Sequence, residues 1–103
     1  MRTIDRHAGL IAATDLLRAL ASEHRLAIVQ ELSTGPRCVH ELVDALAVSQ
    51  SLVSQHLRVL RGAQVVRTER RGREVAYSLA DEHVARIVTD AVTHASETRS
   101  TRR

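Results

Sequence analysis

Apolar residues recur along most of this chain at helical intervals. Leu10, Ala13, Leu16, Leu17 and Leu20 fall on one side of a helix from about Leu10 to Leu20, because positions three and four apart meet on one face. A second run, about His24 to Leu32, turns Leu26, Ile28, Val29 and Leu32 inward. Thr34, Gly35 and Pro36 end it, since glycine and proline interrupt a helix. A third helix, about Val39 to Leu46, buries Val39, Leu42, Val43 and Leu46. After the short Ala47-Val48 step, Ser49 is suited to cap a fourth helix reaching about Leu60.

From Val65 to Leu79 the period changes. Val66 and Thr68 alternate before an Arg-rich turn containing Gly72, and Val75, Tyr77 and Leu79 alternate after it; that is the signature of a hairpin. A last helix begins near Asp81 and ends near Glu97. Two short helices joined by a brief turn make a helix-turn-helix, and a hairpin directly after it makes a winged helix. The predicted fold is therefore mainly α with a small β-hairpin: a winged helix-turn-helix of five helices plus wing. Residues 1–8 and 98–103 are polar and without sustained period, so a flexible arm and a flexible tail are expected around a single domain, 9–97.

At 103 residues the chain suits one domain with a modest core, and pairing with a second copy would add buried area. All fifteen basic residues are arginine, against twelve acidic ones, for a formal charge of +3. Their placement says more than their sum, because Arg67, Arg70, Arg71 and Arg73 crowd around one glycine. No run approaches the roughly 18 apolar residues of a membrane-spanning helix, and the first twenty residues lack the apolar stretch of a secretion signal. No membrane partner and a cytoplasmic location are expected. The single cysteine, Cys38, cannot form an internal disulfide, which agrees with a reducing compartment. With Tyr77 the sole aromatic ring of the Phe, Trp and Tyr class, stacking of unpaired bases is not expected.

The fourth helix, SQSLVSQHLRVL, is two-sided. Leu52, Val53, Leu57 and Leu60 face inward, leaving Gln50, Ser51, Ser54, Gln55 and Arg58 outward. Gln pairs with adenine through two hydrogen bonds and Ser reaches base edges or phosphates, so this helix fits a major groove. His56 lies beside them, either on a phosphate or packed against the wing. Arg70, Arg71 and Arg73 of the wing suit phosphate contacts or a narrow minor groove. A helix as reading element favours duplex DNA over duplex RNA, whose deep groove does not admit one; any single wing arginine can also be an ordinary solvated charge.

The last helix raises a different chemistry. Asp81 and His83 stand at its start, His94 and Glu97 near its end. Eleven residues of helix put His83 and His94 on one face but roughly 16 Å apart, beyond the reach of one ion. Each end offers half of a four-ligand set. If the last helices of two chains pack antiparallel across a two-fold axis, Asp81 and His83 of one meet His94 and Glu97 of the other, creating two sites per dimer. Two imidazoles and two carboxylates suit zinc, Zn(2+), with cobalt workable and nickel a poorer fit. Val84, Ile87, Val88, Ala91 and Val92 would then be partly interface. The plain alternative makes Asp81 a helix cap, the two histidines surface residues and Glu97 a solvated charge.

The order of five helices and a wing, the SQSLVSQHLRVLRGAQVV segment, the RRGREVAYSL hairpin, and an ending of D-x-H, ten residues and H-x-x-E together resemble the ArsR/SmtB family of bacterial metal-responsive repressors. The resemblance covers roughly residues 10 to 97 and is closest to the zinc-sensing members. It implies that Asp81, His83, His94 and Glu97 are the metal ligands. It also implies a metal-free homodimer that binds operator DNA through two reading helices, with the first and last helices forming the interface and zinc weakening the grip. Cys38 and Glu41 match positions where relatives place a thiolate and an acidic ligand, and His7 from the partner's amino-terminal arm is a third candidate ligand. His40 stands where some relatives carry a second thiolate, so no arsenic- or cadmium-type trithiolate chemistry is expected.

Catalysis is not expected. His40, Glu41 and His56 are conceivable acid-base groups, but no Gly-rich phosphate loop, HExxH or nucleophile arrangement appears, and a closed four-ligand zinc leaves no position for a small-molecule substrate. The competing function is a winged-helix repressor of the same family answering to a non-metal effector, or to cobalt or nickel. Only the last helix separates the two.

Overall fold

The computed structural model describes residues 5–101. Five helices and three strands follow in the order α1 (Arg6–Leu20), α2 (Glu23–Leu32), β1 (Arg37–Cys38), α3 (Val39–Leu46), α4 (Gln50–Gly62), β2 (Val66–Arg71), β3 (Glu74–Leu79) and α5 (Glu82–Thr101). Winged helix-turn-helix architecture is thus confirmed. One strand was not foreseen: β1 is only two residues long, too short to show any alternation, and it pairs Arg37 with Tyr77 and Cys38 with Ala76. The sheet order is β1-β3-β2, antiparallel throughout.

Side-chain caps fix where the helices begin. Asp5 accepts the His7 N–H at 3.0 Å, which starts α1 at Arg6, inside the stretch expected to be an arm. Ser22 and Ser49 do the same for α2 and α4, accepting from the Arg25 and Leu52 N–H groups at 3.3 and 3.2 Å, and Asp81 accepts from Val84 at 3.2 Å to open α5. Each such bond satisfies a donor that a helix N-terminus otherwise leaves unpaired. At its other end α5 runs past Glu97 to Thr101, since no glycine or proline intervenes to stop it.

The turn between α3 and α4 is made by Ala47, in the left-handed region at φ 55, whose N–H bonds the Val43 carbonyl at 2.9 Å. That conformation costs a non-glycine residue roughly 1–2 kcal/mol; Ala47 itself is exposed, while Leu46 and Val48 on either side are half-buried against the core. The core contains Leu42 from α3, Val53, Leu57 and Leu60 from α4, Ile28, Val29 and Leu32 from α2, Val65 and Val66 at the start of the wing, and Val84 and Val88 from α5. One apolar cluster therefore supports both the reading helix and the first half of the last helix.

Candidate nucleic-acid interface and metal centre

Helix α4 rests on Val53, Leu57 and Leu60, all at most 1% exposed. With that face fixed, Gln50, Ser51, Gln55 and Arg58 stand exposed on the opposite side, and Ser54 is half-buried between them. Leu52, expected inside, is also half-buried. His56 departs from both readings offered for it. It packs neither on the wing nor outward, but against α2: its Nδ1 lies 3.2 Å from Arg25 Nη1 and its ring 5.4 Å from that of His24. At 3.6 residues per turn its side chain leaves α4 on the flank of the buried face, away from Ser51 and Gln55.

The wing closes through the Arg71–Glu74 pair, leaving Gly72 and Arg73 as a two-residue turn. Gly72 has φ 65, the positive value such a turn demands and glycine adopts without penalty. Arg73 is thus the turn arginine, while Arg70 and Arg71 belong to the end of β2; all three are exposed. Arg67, lower on the same strand, is exposed as well. The surface offers cations and hydrogen-bonding side chains on a reading helix and an adjacent ribbon, which is what groove and phosphate contacts require.

Glu74, a residue the sequence pattern did not single out, ties the wing to α3. The Cys38 thiol donates to Glu74 Oε1 at 3.4 Å, and His40 Nδ1 lies 3.5 Å from Oε2. Burial pushes the Cys38 thiol up, and the hydrogen bond and charge of Glu74 push it further, so the group stays a thiol at neutral pH. Glu41 is engaged in capping α3: its Oε1 accepts the Cys38 N–H at 2.7 Å, and this bond holds its carboxyl below the usual carboxylate range. His7 sits in the first turn of α1. The small pocket beside Cys38, about 240 Å³, is lined by His40, Gln50, Glu74 and Tyr77 and does not include His7.

Along α5, Asp81, His83, His94 and Glu97 are all exposed. Among the described residues no three His, Cys, Asp or Glu side chains gather closely enough to hold a metal ion. One chain therefore separates the four ligand-type residues into two ends, and Asp81 caps the helix in addition. Between the ends, Val84 and Val88 are buried while Ile87 is 36% exposed. On α1, Leu10, Ile11 and Leu17 are 61%, 52% and 54% exposed, and an apolar groove lined by Leu17, Leu20, Ala21, Leu26, Ile87, Val88 and Ala91 joins the two helices. Isolated exposed apolar residues are ordinary; a continuous strip of them across two helices marks an interaction surface. No helix among the described residues is long and apolar enough to cross a membrane.

A polar-faced helix at the second position of a helix-turn-helix, with an arginine-bearing hairpin beside it, defines the DNA-binding class of winged helix-turn-helix proteins. The chain belongs to the ArsR family of bacterial regulatory proteins. Residues 22–68 match the profile of the bacterial regulatory proteins of the arsR family. The HTH-type transcriptional repressor SmtB of Mycobacterium tuberculosis is 64% identical over 88 residues, covering 85% of this chain and 65% of that protein. This chain thus spans a little under two thirds of that relative's length. The HTH-type transcriptional regulator NmtR of the same organism is 44% identical over 87 residues, covering 84% of this chain and 71% of NmtR. Among solved structures, the homodimeric winged helix-turn-helix DNA-binding domain of Mb0332 from Mycobacterium bovis superimposes with a TM-score of 0.79 at 30% identity, over 94% of this chain and 91% of that one. These relatives are regulators or DNA-binding domains, in keeping with the expectation of a non-enzymatic protein.

Proposed function

We propose that this chain is a metal-responsive transcriptional repressor. Its metal-free homodimer grips duplex operator DNA, and zinc, bound at two sites shared between the last helices, loosens that grip. The observation that carries this reading is the division of α5: exposed imidazole and carboxylate groups at both ends, no metal-sized cluster within the described part of one chain, and an apolar strip shared with α1. An antiparallel pairing of two copies of α5 supplies the missing half of each site and covers the strip at once. The similarity to a repressor and to a homodimeric DNA-binding domain supports the DNA and dimer parts of the proposal.

The donor set fits zinc, with two imidazoles and two carboxylates, all on exposed side chains. When bound, the ion would tie the two α5 helices together through Asp81 and His83 of one chain and His94 and Glu97 of its partner. The chain's own part is to carry a change in helix crossing to α4 through Val84 and Val88, which share a core cluster with Val53, Leu57 and Leu60. Two reading helices must stand about 34–36 Å apart to enter successive major grooves, so a small change in crossing is enough to spoil the fit. By linkage, DNA weakens zinc binding by the same factor that zinc weakens DNA binding.

The test is a zinc titration of the reduced, metal-free protein against a chelator of known affinity. Two tight ions per dimer are expected. His94→Ala should lower zinc affinity by more than about 100-fold, since losing a group that merely supports a ligand already costs roughly 10- to 100-fold. The variant should still bind DNA in the absence of metal but no longer release it on adding zinc. Four ions per dimer would bring Cys38, His40, Glu41 and His7 into a second pair of sites. No tight ion, or a normal zinc response in His94→Ala, would overturn the zinc assignment and leave a repressor with another effector.

A further inference from the structure

Arg25 joins three helices. From α2, its Nε donates to the Ala19 carbonyl of α1 at 2.6 Å, while its Nη1 lies 3.2 Å from His56 Nδ1 on α4. A guanidinium carries only donors, so His56 must accept through Nδ1, with a neutral ring protonated on Nε2. The His24 ring packs beside it from α2, the centroids 5.4 Å apart and the planes inclined by 45°. His56 itself is half-buried, between exposed Gln55 and buried Leu57. A single guanidinium thus pins the end of α1, the start of α2 and the middle of the reading helix.

We propose that Arg25 and His56 are positioning residues that hold α4 in its DNA-reading attitude only while His56 is neutral, so that acid weakens DNA binding. The proposal rests on the DNA-reading function assigned above to α4. A protonated imidazole has no acceptor left at Nδ1 and would face the Arg25 guanidinium as a second cation. One of the two must then swing away, and both are partly enclosed, so the strain falls on the packing of α4 against α2. Among the described residues, the ionisable groups acting on His56 are Arg25 and His24, both from α2, with no carboxylate beside them; α1 brings the Ala19 carbonyl to the same cluster.

Burial first, then Arg25 and His24, holds the His56 pKa below the ordinary imidazole value. The sign follows from that depression. The unfolded or displaced ring takes up a proton first, near pH 6.5. The neutral contact therefore contributes fully above that value and is lost as pH falls through the lower folded-state pKa. Protonation of exposed histidines acts in the opposite direction, since added positive charge tightens binding to a polyanion. Weakening in acid is therefore not what simple charge would produce.

The experiment uses the full chain, metal-free and reduced, with a fluorescent duplex recovered by this protein from a randomised pool at pH 7.5. Binding is followed by anisotropy between pH 8 and pH 5, and backbone amide spectra of the free protein are recorded over the same range. Wild-type affinity should be flat in the upper half of the range and then fall, each chain contributing at most about ten-fold per pH unit. The amides of α4 should move with the His56 ring titration. In His56→Asn, whose side-chain oxygen takes the place of Nδ1 without titrating, the ratio of affinities at high and low pH should lose this fall, whatever the absolute affinity; His56→Gln serves if that variant does not fold. His24→Asn should keep the fall and move its midpoint upward. An acid weakening that persists undiminished in the His56 variants, or a His56 titration that leaves the α4 amides unmoved, would overturn the proposal. Failure to recover any duplex would count against the DNA-reading function itself, and the amide titration would still decide whether Arg25 and His56 position α4.

Discussion

Helices α4 and α5 both expose polar side chains, on opposite structural terms. Helix α4 stands on three buried side chains, Val53, Leu57 and Leu60, and its outward face of Gln50, Ser51, Gln55 and Arg58 is complete within one chain. Helix α5 buries Val84 and Val88 in its first half and strings Asp81, His83, His94 and Glu97 along an exposed length, no three of them close enough to share an ion. The proposed partners, a DNA duplex and a zinc ion, account for the contrast. A duplex is long, so side chains spread along one helix can all reach it. A zinc ion requires its nitrogen ligands at about 2.0–2.1 Å, so ligands spread along a helix must be completed by another chain. On the proposed reading, the DNA-facing end is an intrachain structure and the metal-sensing end an assembly of two chains.

The widest separation of the two should come from truncating apolar residues at each end. Leu57 is 1% exposed and lies in the shared core; Leu57→Ala should cost about 3 kcal/mol, within the range for a leucine cavity, at any protein concentration. Ile87, at 36% exposed, makes far less of the monomer's core. Ile87→Ala should act mainly on the dimer, giving a thermal midpoint that falls with dilution more steeply than in the wild type. Equal, concentration-independent losses in the two variants would mean that α5 belongs to the monomer and would undo the distinction.

That difference also accounts for what was readable in the sequence. The helix-turn-helix and the hairpin follow from local periods of 3.6 and 2 residues, and the 16 Å spacing of His83 and His94 follows from helix rise alone. Contacts between distant segments carry no such periodic trace. Cys38 and Glu74 are 36 residues apart, and nothing in either neighbourhood announces that the wing would reach back to α3. His56 and Arg25 are 31 apart, so a histidine beside a reading face passes for part of it until α2 is in place. Arg70 and Arg71 read as turn residues because strand ends are set by pairing, and the Arg71–Glu74 closure is visible only once β3 is registered against β2. Helix boundaries shifted for a simpler reason: Asp5 caps α1 earlier than its apolar stripe begins.

Within the reading end, helix and wing should fail differently. Gln55→Ala removes a side chain able to bond a base edge through two hydrogen bonds, and should cost roughly 1–3 kcal/mol with relaxed preference at one base pair. Arg73→Ala should weaken binding almost equally for all sequences and reduce the salt slope by about one. Binding of wild type and variants to a panel of single-base-pair substitutions at several salt concentrations measures both. If Gln55→Ala lowered affinity uniformly while Arg73→Ala changed base preference, the roles of helix and wing would have to be exchanged.

The finest test falls on Asp81, which serves the fold and the proposed metal site together. Its Oδ1 accepts the Val84 N–H at 3.2 Å, so Asp81→Ala should lower stability by about 1 kcal/mol, the usual effect of removing a helix N-cap. Asp81→Asn keeps a capping oxygen of nearly equal quality but removes the carboxylate charge that suits a zinc ligand. Denaturant midpoints should therefore rank wild type and Asp81→Asn together above Asp81→Ala, while zinc affinity should rank wild type alone above both variants. The two orders differ only if Asp81 acts twice, once within its own helix and once across to a second chain. If Asp81→Asn bound zinc as tightly as wild type, capping alone would account for the residue, and the sensing end would lose one of its four ligands.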